Sequence, residues 1–377
     1  MRPGDGPHTV SRLRTIVVPA AVFQSVIVGG AYGTGREVVE YVSAYGALGG
    51  LLAIGTIAVC FALILSASFE FARVFDAWDY RHFLQTLLGP AWLAYELMFA
   101  LLLILILAIT GAAAGRALAN TFDVPASLGI ALLFASIVAL NYFGRAIVQR
   151  TLTAGAAVLL VGLIAYTATV VFSDDAIILD RIDIRAIEPG WWLSGIKFAV
   201  YNSALIPVLI YCARGLPDRR SAISAGLLAG TFGVIPAVFF HLTFIAGGPE
   251  VLEQALPTYW MLEHFATPAA LSLYVIILFA TIVQTGVGVL QGLNERLDGW
   301  YQDKYAIPLS PMTHGIIAGV VLCASLVLAR FGLVALVAKG YGTLAWGFFI
   351  IFTLPVLTIG LGKIRTASTT RNGAIPE

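Results

Sequence analysis

A chain of 377 residues with 59% hydrophobic side chains, 11% charged ones and a mean hydropathy of +0.90 cannot cover the surface of a water-soluble globule, since an ordinary soluble domain carries about 25% charge. Its solvent must be lipid, where backbone polar groups have to be paired internally. Long continuous apolar runs, rather than alternating segments of roughly ten residues, select helices over a closed barrel. The formal charge of +1 comes without any basic tract, so nothing points to a nucleic-acid partner, and the principal partner is the lipid bilayer.

Ten segments meet the requirement of about 20 predominantly apolar residues for a transmembrane helix. They lie near 15–45, 47–69, 90–115, 124–144, 148–172, 191–213, 221–246, 267–293, 310–329 and 333–362. The expected fold class is all-α, a single polytopic transmembrane domain over 1–377 with a cytoplasmic tail over 363–377. Arg12 and Arg14 precede the first apolar run. That run continues into another helix instead of ending at a small-residue cleavage site, so it reads as a retained span rather than a signal peptide.

The first span is long because it is interrupted. Gly29-Gly30-Ala31-Tyr32-Gly33-Thr34-Gly35 places four glycines in seven residues, each costing a helix about 1 kcal/mol relative to Ala. Unwound backbone at membrane depth survives only if it is buried in protein or lines a polar cavity. The half-helix expected to start near Thr34 would present free N–H groups and a positive dipole end to an anionic group, while the outgoing carbonyls of the inner half would suit a cation. Arg36, Glu37 and Glu40 follow at once. Two readings are open for Glu37, a proton-coupling group or a cap on the half-helix. Arg36 either neutralises Glu40 at i, i+4 or holds a substrate carboxylate by a bidentate contact. Glu37 and Glu40, three apart, are expected to share a helix face.

Further along, Glu96 near the inner end of the third span reads as snorkelling or locally paired. The loop after the fifth span carries Asp174, Asp175, Asp180, Asp183 and Glu188, either a solvated acidic loop or a vestibule that gathers cations. In the sixth span Asn202 and Ser203 compete with the helix for backbone hydrogen bonds. Pro207 clashes with the carbonyl four residues earlier, so a break is expected near 201–204. Lys197, six residues into that span, has three open readings: snorkelling outward, pairing with a Glu of the first helix, or standing in for a sodium ion. His241 reads as a hydrogen-bonded interfacial histidine. The loop near 247–266, with Pro249, Pro257 and Tyr259-Trp260-Met261, is expected to hold a short interfacial helix. Thr281, Gln284 and Thr285 form a polar stripe on the eighth span, for interhelical hydrogen bonding or ion coupling. Cys60, Cys212 and Cys323 each sit inside an apolar run and read as buried apolar side chains.

Fifteen of the 22 Lys and Arg residues fall in one alternating set of loops and tails and five in the other, with Arg36 and Lys197 at membrane depth. This bias puts both termini in the cytoplasm. Five spans separate the starts of the two interrupted helices. An odd number of spans per half inverts the second half, giving repeats over 12–172 and 190–362, and matched interruptions in two inverted halves mark a transporter's binding site.

The run GGAYGTGREVVEYVSAYGALGG from Gly29 to Gly50 resembles the YkvI-type membrane proteins, whose first helix carries a pattern of the form G-x-G-F-A-S-G-Q-E followed by aromatic residues and spaced glycines. Gly29, Tyr32, Thr34, Gly35 and Glu37 fit in identity or kind; Ala31 stands where Gly is usual and Arg36 where Gln is usual. The ten-span layout and Tyr201-Asn202 extend the resemblance over most of the chain. That family is similar to the amino acid–polyamine–cation transporters, which implies a LeuT-like 5+5 inverted repeat with interrupted first and sixth helices, in a bacterial inner membrane.

The expected function is secondary transport of a small solute, with an amino acid or an amine as options, coupled to H+ or Na+. The substrate contacts expected are Gly29, Gly30, Ala31, Tyr32, Gly33, Thr34, Gly35, Arg36, Tyr201, Asn202 and Ser203. Glu37, Thr281, Gln284, Thr285 and Lys197 are the ion-coupling candidates. A membrane-embedded receptor or channel-like subunit of the same fold is the alternative. There is no H-E-x-x-H, P-loop or dinucleotide motif, so no enzyme activity, cofactor or metal is read.

Overall fold

Hydrocarbon leaves the backbone little choice but helix, and the structure, a computed structural model, contains no strand among the described residues. These are residues 7–29, 32–143, 161–170 except 163 and 169, 183, and 185–372 except 306 and 308. Gly30, Ala31 and most of the fifth expected span lie outside them.

The first half holds α1 (Pro7–Ile27), α2 (Arg36–Tyr41), α3 (Ala47–Phe75), α4 (Tyr80–Leu88), α5 (Trp92–Phe122) and α6 (Ala126–Phe143). The second holds α7 (Trp191–Ser203), α8 (Ile206–Leu209), α9 (Arg219–Gly247), α10 (Glu250–Glu253), α11 (Pro257–Phe265), α12 (Pro268–Tyr305) and α13 (Pro311–Ala329). A last helix, α14, runs over 333–372. Six helices among the described residues are long and apolar enough to cross a membrane, and the bent pair 191–203 and 206–213 brings this to seven. The stretches Arg14–Ile27 and Ala126–Leu140 are apolar but shorter.

Two groups of helices are evident from which helices touch. One contains α1, α3, α7 and α9; the other contains α5, α6, α12 and α13; α14 packs against both α7 and α5. In lipid such packing is driven by close van der Waals fit, which small residues permit. The α3–α9 contact shows it: a Cβ added at Gly226 would lie 2.6 Å from Ser66 Cα, and one at Gly230 would lie 2.6 Å from the Ala62 backbone nitrogen.

The two ends of α3 meet different partners. At its N-terminal end the Leu48 and Gly49 N–H groups donate to the Ala186 carbonyl at 3.1 Å, and the Glu188 N–H donates to the Tyr45 carbonyl at 2.9 Å. At its C-terminal end Arg73 forks onto the Glu70 carboxylate at 2.7 and 2.8 Å. Nearby, Lys363 Nζ donates to the Thr86 carbonyl at 2.6 Å and ties α14 to α4. The interfacial loop after α9 holds α10 and α11, two short helices where one was expected. The final helix departs from expectation more: it runs ten residues past the expected span end and contains π segments at Leu336–Tyr341, Phe349–Thr353 and Val356–Gly360.

Replacing Gly230 by Val forces α3 and α9 apart. The expected cost is about 1–3 kcal/mol, read as a lower melting temperature of the purified protein in detergent.

Candidate functional site

The glycine cluster does what its composition dictates. α1 stops at Ile27, and regular winding resumes only at Arg36, after a single 3-10 turn at Tyr32–Thr34. Gly35 adopts φ +79°, and a Cβ there would meet the Phe244 ring and lie 2.7 Å from Thr258 Oγ1; only glycine fits. The groups freed by the break are taken up locally. Thr34 Oγ1 accepts from the Arg36 N–H at 3.2 Å, and the Tyr274 hydroxyl of α12 donates to the Gly33 carbonyl at 3.1 Å.

The second break falls at Ala204–Leu205, between α7 and α8, where the axis bends by 46°. Asn202 Nδ2 donates back to the Phe198 carbonyl at 3.0 Å, and Ser203 Oγ donates to the Val200 carbonyl at 2.6 Å. The Tyr95 hydroxyl, fully buried on α5, donates to the Ala204 carbonyl.

The two breaks share one partly open cavity lined by Gly29, Tyr32, Glu37, Tyr201, Asn202 and Thr285 among others. The Tyr201 hydroxyl donates to Glu37 Oε2 at 2.5 Å, joining the two broken helices directly. Among the described residues no Lys, Arg or His pairs with Glu37. Aromatic rings enclose it: Tyr201 and Tyr341 stack with centroids 4.4 Å apart, and Tyr41 lies 5.6 Å from Tyr201.

The remaining expected residues lie elsewhere. Gly33, Thr34 and Gly35 build the turn but are not among the cavity-lining residues, and buried Ser203 turns toward Thr353 Oγ1 at 3.2 Å. Arg36 faces the α10 loop: Nη1 donates to the Leu252 and Gln254 carbonyls at 2.9 and 3.0 Å, and Nη2 pairs with Glu40 at 2.8 Å. Its guanidinium is thus engaged with the loop and with Glu40 rather than lining the cavity. Glu37 and Glu40, about 60° apart round the helix, send their carboxylates to different partners, one to Tyr201 and the other to Arg36. The half-helix after the break, α2, is only six residues long, ends at Tyr41, and is followed by a 3-10 turn at Ser43–Tyr45 that closes on Gly46 with φ +82°. Lys197 Nζ sits 5.9 Å from the centre of the Trp346 ring. Thr281 Oγ1 donates to the Ile277 and Leu278 carbonyls, and Thr285 Oγ1 to the Thr281 carbonyl, so both hydroxyls bond to their own helix; Gln284 is not among the lining residues. His241 is buried between Ser43 Oγ at 3.0 Å and the Ala47 carbonyl at 2.9 Å. The described residues contain no group of three or more His, Cys, Asp or Glu placed to hold a metal ion.

Tyr341, Leu102, Ile106, Leu205, Val26 and Ile27 also line the cavity, and the sequence reading missed them. Tyr341 had a signal: it stands between Gly340 and Gly342 inside an apolar run. The apolar wall had none, since such residues are indistinguishable from those that face lipid.

No protein-family model matches the chain. It is 23% identical over 298 residues to the uncharacterized membrane protein YkvI of Bacillus subtilis (strain 168), covering 76% of this chain and 82% of that protein. Among solved structures it is similar to Mhp1, a nucleobase-cation-symport-1 family transporter in a closed conformation with bromovinylhydantoin bound. There the TM-score is 0.58 at 14% identity, over 88% of this chain and 74% of that one. It is also similar to MhsT in complex with L-phenylalanine, with TM-score 0.52 at 19% identity over 95% of this chain and 98% of that one. These likenesses carry the fold. The chain is an all-α polytopic membrane protein of the LeuT type, interrupted in its first and sixth expected spans, and it resembles the YkvI-type proteins.

Tyr95→Phe leaves the Ala204 carbonyl without its buried donor. It should cost about 1–3 kcal/mol, measured as a fall in thermal stability with the helical content retained.

Proposed function

We propose that the protein is a secondary transporter that carries a small solute by alternating access, with the cavity between the two breaks as the cargo site and Glu37 as the coupling group. The observation that carries this reading is the position of the cavity. Its lining comes from both helix groups: Ile27, Tyr32, Glu37, Tyr201 and Asn202 from the broken helices, and Leu102, Ile106 and Thr285 from α5 and α12. A site on the seam between two packed bodies is opened to one side or the other when one body rocks against its partner. The bodies correspond to neither repeat alone, since 12–172 and 190–362 each contribute helices to both. That MhsT and Mhp1 hold small organic molecules in the same fold supports a small cargo.

Glu37 supplies a reason for coupling. An isolated carboxylate in a low-dielectric interior is too costly to leave charged and unpaired, and no Lys, Arg or His among the described residues neutralises this one. It must be neutralised by something mobile, and a proton is the simplest candidate. The Na+ alternative rests on Thr281 and Thr285, whose oxygens keep lone pairs for a cation after their protons go to their own helix, and the Na+ arm of the experiment decides between the two. Both termini are assigned to the cytoplasmic side of a bacterial inner membrane, on the strength of the Lys and Arg bias.

The experiment is uptake of labelled amino acids and primary amines into proteoliposomes under an imposed pH gradient. Accumulation should collapse with a protonophore and fall about 100-fold or more in Glu37→Gln, consistent with losing a buried functional charge. Binding without accumulation of any compound would favour a receptor, and accumulation that follows Na+ alone would remove Glu37 from the coupling role.

A further inference from the structure

The polar inventory of the cavity is lopsided. Tyr201 gives its proton to Glu37, Asn202 gives an amide proton to the Phe198 carbonyl, and Thr285 gives its hydroxyl proton to the Thr281 carbonyl. What these side chains leave for a ligand is chiefly acceptor capacity, on the Glu37 carboxylate and Asn202 Oδ1, beside one remaining Asn202 amide N–H. Tyr32 adds a second observation. It lines the cavity, is 1% exposed, and its hydroxyl has no hydrogen-bond partner among the described residues. A buried hydroxyl costs free energy unless something bonds to it.

Charge narrows the ligand further. Among the described residues, Glu37 is the one charged residue that lines the cavity. The two cations at this depth are engaged elsewhere, Arg36 on Glu40 and the α10 loop and Lys197 beside Trp346. A ligand carboxylate would meet no fixed positive charge and one negative charge. A divalent metal would need more carboxylates than are present, and no group of three or more metal-binding side chains occurs among the described residues. The rest of the wall is apolar or aromatic, with Ile27, Leu102, Ile106 and Leu205 beside the stacked Tyr201 and Tyr341 rings. Such a wall suits a carbon skeleton and, at the ring faces, a cation.

We propose that this cavity takes a primary amine as its ammonium ion, attached to an apolar body and free of any carboxylate. The ammonium group has three donors and no acceptor, which matches Glu37 and Asn202 Oδ1. The Tyr32 hydroxyl accepts from the ammonium group. The inference rests on reading the cavity as the cargo site; the chemistry of the ligand follows from the lining.

The test is calorimetric binding to the full-length protein in lipid nanodiscs, with phenethylamine, 2-phenylethanol and L-phenylalanine as matched cation, neutral and zwitterion. Phenethylamine should bind at least about tenfold more tightly than either of the others. Its affinity should drop about 100-fold in Glu37→Gln, the scale for removing one partner of a buried charge pair. Tyr32→Phe, which removes no bond within the protein, should weaken it several-fold while leaving the melting temperature unchanged; this variant and the ligand series keep the test decisive if Glu37→Gln does not fold. L-Phenylalanine binding as tightly as the amine, no detectable amine binding, or amine binding indifferent to both substitutions would each overturn the proposal. Uptake of the same compounds separates the two readings. Amine bound but never carried removes the transporter and leaves the ligand class standing, whereas accumulation of L-phenylalanine without amine binding does the reverse.

Discussion

At membrane depth no water is at hand to satisfy a backbone group that leaves its helix, and the architecture turns on how this chain meets that demand. Three departures from regular winding approach the cavity, at 28–29 with 32–35, at 204–205 and in the π segment Leu336–Tyr341. Each has a carbonyl taken up by a tyrosine hydroxyl from another element. Tyr274 serves Gly33, Tyr95 serves Ala204, and Tyr41 serves Val337 at 3.0 Å. A tyrosine suits the task, since its ring is apolar enough for the interior while its hydroxyl reaches a buried acceptor. The bonds also bind the broken segments to intact neighbours, so the irregular backbone is held in one geometry rather than left loose.

The same economy of partners explains how two adjacent charged residues come to face different tasks. Arg36 lies at the start of α2 and is held by two carbonyls of the α10 loop and by Glu40. That network pins the short half-helix to the segment between α9 and α11. Glu37, one residue on and about 100° further round the helix, has no cation partner among the described residues and meets Tyr201 on the other broken helix. Two carboxylates three residues apart thus take different partners, Glu40 on Arg36 and Glu37 on Tyr201.

The glycines divide along similar lines. Gly35 is required by its positive φ and by the Phe244 ring pressed against it. Gly226 and Gly230 are required by the closeness of α3, with no unusual backbone. Gly29 is open enough that a Cβ would find Thr285 Oγ1 at an ordinary 3.6 Å; its place is at the lip of the cavity. A dense glycine cluster thus combines residues needed for conformation and residues that simply line space, and composition alone does not tell them apart.

From residue order alone came the lipid solvent, the helical class, the break in the glycine cluster and the break before Pro207, because these follow from local backbone chemistry and from the scarcity of charge. Local pattern also placed Tyr32, Glu37, Tyr201 and Asn202 close to the breaks that now surround the cavity. The partners of Arg36 in the α10 loop, some 216 residues away along the chain, and the stacking of Tyr341 on Tyr201 were decided only by tertiary packing. So was the separation of helices into two groups with the cavity on their seam. Which face of an apolar helix meets lipid and which meets protein leaves no mark on composition when both surroundings are equally apolar, and that choice is made only when the helices pack.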